Sequence, residues 1–296
     1  MRYFRNPMIR SGSRGLVVRR VLVAVTFVLL SILSKQSFSP KAVAYKVVRE
    51  AVKFQTNLKT TNWLEVTNNH FYVRYKSEDA SVVKMVLDTA EMAYSPVNQM
   101  LGNTMSAKIP IVLYPDKASF NKSFGWDADQ SAMGVYWAGV IRILSPNEWA
   151  RGDTYQSKQN YFNENGPMAH EYVHLVVDYK TGGNYPRWFT EGIAQYVERE
   201  ITGFQFKVPE INEKDDLYLL SRMDGQFDLL PSQSIAYWQS LAMVEYLIKM
   251  NGIDKINDLM DLLGEGYTFT TAFEEVYQTS LHKFESVFGE YIINEI

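Results

Sequence analysis

The sequence predicts an α+β chain with a small mixed sheet in its N-terminal half, a helical C-terminal half, a cleft between them and an N-terminal apolar segment outside the fold. Three observations carry that expectation. Strand-like segments are confined to residues 69–144, apolar residues recur at helical spacing from Gly166 to the end, and an uncharged run near the N-terminus follows a cluster of arginines. With 296 residues, 46% of them hydrophobic, the chain can bury a sizeable core as one domain or two packed halves.

Charge is placed unevenly. The first 44 residues hold eight Lys/Arg and no acid, leaving 22 basic against 33 acidic groups in residues 45–296, a formal charge of −11. Such a body is not a nucleic-acid binder by bulk electrostatics. The absence of cysteine excludes disulfides and thiolate ligands, so any metal must be held by His, Asp or Glu.

Six arginines (Arg2, Arg5, Arg10, Arg14, Arg19, Arg20) precede "VLVAVTFVLLSILS", Val21 to Ser34. Basic residues stay on the cytoplasmic side, so the acidic body is expected outside it. Fourteen residues reach about 21 Å as a helix, against roughly 30 Å of hydrocarbon. Two alternatives stay open: an uncleaved membrane anchor whose flanks adapt to a short span, and a signal peptide cleaved near Ala44 in "AVA", with the body secreted. Residues 1–44 are therefore the basic tail with anchor or signal. The remainder divides into a linker or stalk helix (45–62), a sheet-rich subdomain (63–165) and a helical subdomain (166–296).

In order along the chain, "YKVVREAVKFQTNL" (Tyr45 to Leu58) has the apolar spacing of a connecting helix. "NHFYVRYK" (Asn69 to Lys76) alternates as a strand, and the stretch from Glu78 to Leu101 is a long amphipathic helix. "KIPIVLYP" (Lys108 to Pro115) is a short apolar strand. "GVYWAGVIRIL" (Gly134 to Leu144) is a hairpin turning at Ala138-Gly139, and one of its strands could pair with an extended peptide. Beyond Gly166, "PMAHEYVHLVVDYK" is a helix opened by Pro167 and stopped by "TGGNYP". "PRWFTEGIAQYVERE" (Pro186 to Glu200) is the next; Tyr237 to Met250, Ile253 to Leu263 and "FEEVYQTSLHKFESVFGEYI" supply the rest. The aromatic set Trp126, Tyr136, Trp137 and Trp149 reads as core, and His70 and His282 belong to no constellation.

The chemistry lies in "HEYVH". On a helix His170 and His174 rise about 6 Å apart and project from one face, so both imidazoles can reach one ion at about 2.0–2.1 Å. Glu171, one step round, is placed to serve as general base for a water at the ion's open position. By chance such a window arises in roughly 0.3 per cent of sequences of this composition, so the context must decide. A glycine and a histidine three and six residues after His174 would mark the metzincins, but Val177 and Lys180 stand there. Asp178 rises about 12 Å above His170 on the same helix, too far to close the sphere. The best remaining donor is Glu191, which the Gly-rich break allows to fold back toward the pair.

"HEYVH" followed by "PRWFTEGIAQYVE" resembles the gluzincin metalloproteases, specifically the compact bacterial peptidase-MA-like families, which carry H-E-x-x-H, then Pro-x-W-x-x-E-G-x-A, then a helical tail. The resemblance covers roughly residues 65–292. It implies a zincin-like fold, a Zn2+ cofactor on His170, His174 and Glu191, Glu171 as catalytic base, and a peptide or protein substrate. Tyr237 is the position at which the family pattern suggests a donor to the oxyanion. Such families often place an acid four residues past the third ligand to orient the first histidine; here it is Gln195, which implies weaker zinc binding. "SAMGVY" lacks the glutamate of the aminopeptidase loop it resembles, so an aminopeptidase is not expected. The competing expectation is a non-catalytic extracytoplasmic binding protein on the same scaffold.

Overall fold

The structure is a computed structural model that describes residues 40–102, 105–127, 132–211 and 213–295. The arginine cluster and the apolar run Val21 to Ser34 lie outside them. Among the described residues no helix is long and apolar enough to cross a membrane.

The chain begins with helix α1 (Pro40–Lys59), strands β1 (Leu64–Thr67) and β2 (Phe71–Tyr75), and the long helix α2 (Val83–Leu101). Strand β3 (Ile109–Tyr114), helix α3 (Lys117–Phe124), the hairpin β4 (Gly134–Trp137) and β5 (Val140–Leu144), the single turn α4 (Pro146–Trp149) and helix α5 (Tyr155–Asn165) follow. Helices α6 (Met168–Thr181), α7 (Arg187–Thr202), α8 (Leu220–Gly225), α9 (Gln233–Asn251), α10 (Ile253–Gly264), α11 (Phe269–Tyr277) and α12 (Leu281–Glu295) complete it. The class is the α+β arrangement the sequence predicts.

The five strands form one mixed sheet in the order β1-β2-β3-β5-β4, parallel at β2/β3 and β3/β5 and antiparallel at both ends. Strand alternation gives the sheet two different faces. Phe71, Val73, Ile109, Ile111, Leu113, Ile141 and Ile143 are all fully or nearly fully buried in one core with residues of α2 and α6. The opposite row runs Arg74, Val112, Arg142, Val135 and is crossed by α1; the carbonyls of Asn57 in α1 and of Thr60 just after it accept from Arg74.

Several elements differ from the sequence-based expectations, each for a local reason. Helix α1, expected as a connector or stalk, is seated on the body: Arg49 pairs with Asp178 of α6 at 3.1 Å, and Tyr45 fills the space above Gly183. Helix α5 escapes periodicity because it buries only Phe162; a capping box of Thr154 and Ser157 opens it. The tail is two helices, since Gln278 adopts a left-handed conformation (φ 54°) that ends α11. The aromatic set is divided: Trp149 packs on Phe162, whereas Trp126, Tyr136 and Trp137 line the cleft, with Trp137 53% exposed.

Candidate metal centre

Helix α6 carries His170, Glu171 and His174 and packs between α2 and α7. It stops at Gly182, and two successive left-handed glycines (φ 64° and 74°) turn the chain back before Pro186 opens α7. This reversal puts Glu191, in the first half of α7, across from the two imidazoles.

Three atoms converge there. His170 Nε2 and His174 Nε2 stand 3.1 Å apart, and Glu191 Oε2 is 3.4 Å from the first and 3.5 Å from the second. Atoms bound at about 2.0–2.1 Å to a tetrahedral zinc stand about 3.3–3.4 Å from one another, so the triangle has the size such an ion needs. Glu191 is only 5% exposed, and its Oε2 has no hydrogen-bond partner. A buried carboxylate oxygen left without a donor and aimed at two ring nitrogens fits a cation between them. The three residues could thus hold a metal ion.

The surroundings fix the donors. His170 Nδ1 donates to Glu198 Oε2 at 2.9 Å, and His174 Nδ1 meets Thr190 Oγ1 at 2.8 Å, so each ring turns its Nε2 toward the shared point. Here the expectation for Gln195 is corrected. Gln195 donates instead to the carbonyls of Glu191 and Tyr237, at 3.2 and 2.8 Å, and ties α7 to α9. The acid that orients the first histidine is Glu198, seven residues after Glu191 and two helical turns along the same face. The negative charge that sequence reasoning found missing is therefore present, three residues later.

Electrostatics follow from burial and partners. For Glu191 burial opposes ionisation, but the facing histidines outweigh it and hold the carboxyl well below the usual carboxylate range. For His170 burial likewise opposes the charge, yet Glu191 and Glu198 keep the ring's pKa well above that of an ordinary histidine. Burial raises the pKa of Glu171, whose Oε2 accepts the backbone N–H of Tyr136 in β4 at 2.5 Å. Gly134 permits that approach, because a Cβ there would lie 2.8 Å from Pro167 and 3.0 Å from Glu171 Cγ.

Tyr237, at the start of α9, lines the same cleft. Its hydroxyl accepts from Arg187 Nη2 at 3.3 Å, and Arg187 also contacts Glu191 Oε1 at 3.3 Å and Asp228 at 2.8 Å. Burial and the charge of Glu191 push the phenol up to about 12, so it keeps its proton. The cleft as a whole has a volume of about 1170 Å³ and is bounded by β4, α6, the start of α7, Tyr237 and one side of α1.

A family model described as the peptidase MA superfamily matches residues 142–294, just over half of the chain and all of the elements that carry this centre. The chain belongs to the peptidase MA superfamily. Among solved structures, aminopeptidase A of Legionella pneumophila, crystallised with aspartic acid, matches over 77% of this chain at 12% identity with a TM-score of 0.49, and the chain spans 28% of that enzyme's length. Comparison with curated proteins finds no match.

Within this superfamily member the glycine after Glu191 has a structural duty. A Cβ on Gly192 would lie 2.2 Å from the Ser240 carbonyl and 2.6 Å from Val244 Cγ2, so α7 and α9 touch backbone to backbone there. Gly192→Ala should force the helices apart, costing about 1–3 kcal/mol of stability and displacing the adjacent Glu191. A lowered melting temperature together with weaker metal binding by titration is the expected result.

Proposed function

We propose that the chain is a zinc-dependent peptidase of the gluzincin type that hydrolyses peptide bonds outside the cytoplasm. The observation that carries this reading is the triangle of His170 Nε2, His174 Nε2 and the partnerless Glu191 Oε2. When bound, zinc supplies a Lewis acid for the scissile carbonyl and lowers the pKa of a water toward about 7. The Glu171 carboxylate takes a proton from the attacking water and delivers it to the leaving amine nitrogen. Its burial favours that role by making it a stronger base than an exposed glutamate, while the Tyr136 N–H holds one oxygen and leaves the other for the proton. Tyr237, protonated and propped by Arg187, donates to the oxygen on which negative charge develops. β4 is the edge strand of the sheet and beside Glu171, so an extended peptide pairing with its free edge lies along the cleft.

The extracytoplasmic placement rests on the arginine-rich, acid-free N-terminus and the apolar run behind it, with the body either anchored in the cell membrane by that single span or released after cleavage near Ala44. Elemental analysis of the purified protein together with a peptide-hydrolysis assay tests the activity. About one zinc per chain is expected, with hydrolysis lost on chelation and restored by zinc. A chain that binds no zinc near neutral pH and cleaves no peptide would instead be the binding protein that the sequence leaves as the competing possibility.

A further inference from the structure

Arg142 is a buried cation without an anion. It lies on β5, one strand in from the edge, and its side chain leaves the sheet on the face opposite Ile141 and Ile143, away from α6. It is 7% exposed. Nη2 donates to Thr56 Oγ1 of α1 at 3.2 Å and the guanidinium lies over the Phe124 ring of α3 at 5.2 Å, but Nη1 has no hydrogen-bond partner. Among the described residues no carboxylate pairs with it. Burial lowers its pKa from the ordinary value, although a guanidinium still stays charged at neutral pH. Ser123, next in sequence to Phe124 and lining the same cleft, has a hydroxyl that is also buried and without a partner.

A guanidinium removed from water needs compensation, and here the protein supplies the hydroxyls of Thr56 and Tyr114 and a ring face, none of them an anion. What is missing is an anion, and Arg142, Ser123 and Thr56 lie in the wall of the same cleft as His170 and Glu171. The carboxylates on that cleft, Glu171, Glu191 and Asp228, all sit at the metal-centre side, and Lys59 adds a further cation to its lining. Geometry links the two parts. An extended peptide on the free edge of β4 sends alternate side chains to opposite faces of the sheet. Val135 of β4 is the register partner of Arg142, one strand further in, so the sheet face opposite the Ile141 and Ile143 side leads from the edge strand to Arg142.

We propose that Arg142, with Ser123 and Thr56, forms a recognition pocket for a carboxylate of the peptide substrate, either its C-terminal α-carboxylate or an Asp or Glu side chain. A planar carboxylate matches the guanidinium fork and accepts from both Nη1 and the Ser123 hydroxyl. This inference rests on the peptidase reading for the identity of its ligand.

The test uses the zinc-loaded full chain and matched peptides: free C-terminal acid against amide, and Glu or Asp against Gln or Asn at each position. The ratio of kcat/KM within a pair is read for activity, and the ratio of Kd for the same pairs is read in Glu171→Gln. One class of pair should favour the carboxylate by roughly ten- to a hundredfold, and which class does so identifies its source. Arg142→Met should reduce that ratio to within about twofold, and Ser123→Ala should reduce it severalfold even if the arginine variant fails to fold. Equal values for acid and amide in the wild type, or a ratio unmoved by both substitutions, overturns the proposal. Failure of the peptidase reading is recognised separately, as absent turnover with the Kd ratio intact.

Discussion

Glu171→Gln should leave the zinc content at the wild-type level and lower kcat for peptide hydrolysis by at least roughly a thousandfold. The side chain is 6% exposed and wedged between α6 and β4, so a change of shape would disturb both. Glutamine keeps the shape, and its carbonyl oxygen can still accept the Tyr136 N–H. It carries no negative charge and cannot take a proton from water. General-base assistance contributes about 10²–10⁴-fold, and in the proposed mechanism the same carboxylate also returns the proton to the leaving amine, so the loss would fall on both halves of the reaction. Zinc per chain by elemental analysis and turnover of a peptide library, measured on the same preparation, decide the matter. Substantial hydrolysis by the variant would discard Glu171 as base while leaving the metal site untouched.

How much of this was legible in the sequence depends on the distance over which each feature is specified. His170, Glu171 and His174 share one helix, where the 3.6-residue period fixes which side chains face together. Glu191 needed only one more element, and the Gly182-Gly183 turn that returns it is a local signal. Glu198 was missed although its signal was present: seven residues after Glu191 is two turns of the same helix, so a glutamate there faces the same partner. Other features could not be read at all. The pairing of Arg49 with Asp178 joins residues 129 apart in sequence, and the same Asp178 accepts the Tyr136 hydroxyl, so one buried acid binds α1, α6 and β4 together. Nothing local to any of the three announces it. Trp126, Tyr136 and Trp137 show the same limit from the other side, since an aromatic residue bears no mark that separates a core wall from a cleft wall.

Glu191→Ala should abolish stoichiometric zinc binding and with it all hydrolysis, a larger effect on the metal than loss of any outer partner, which typically costs 10–100-fold in affinity. Glu191 is the one anionic donor of the three, and it alone comes from α7, so it both neutralises the ion and ties the second helix to the first. Two histidines four residues apart remain in the variant, but they form an incomplete set with no negative charge. The change has a thermodynamic signature independent of activity. Zinc that binds only the folded chain stabilises it by about 2.7 kcal/mol at a free concentration of a hundred times Kd, which raises the melting temperature. Wild type and Glu171→Gln should both show that rise on adding zinc; Glu191→Ala should show none at the same concentration. The two variants then separate the roles cleanly, because one loses the base with the metal in place and the other loses the metal with the base in place. A zinc-dependent rise in Glu191→Ala equal to that of the wild type would mean that the third donor lies elsewhere, and the triangle of His170, His174 and Glu191 would no longer describe the centre.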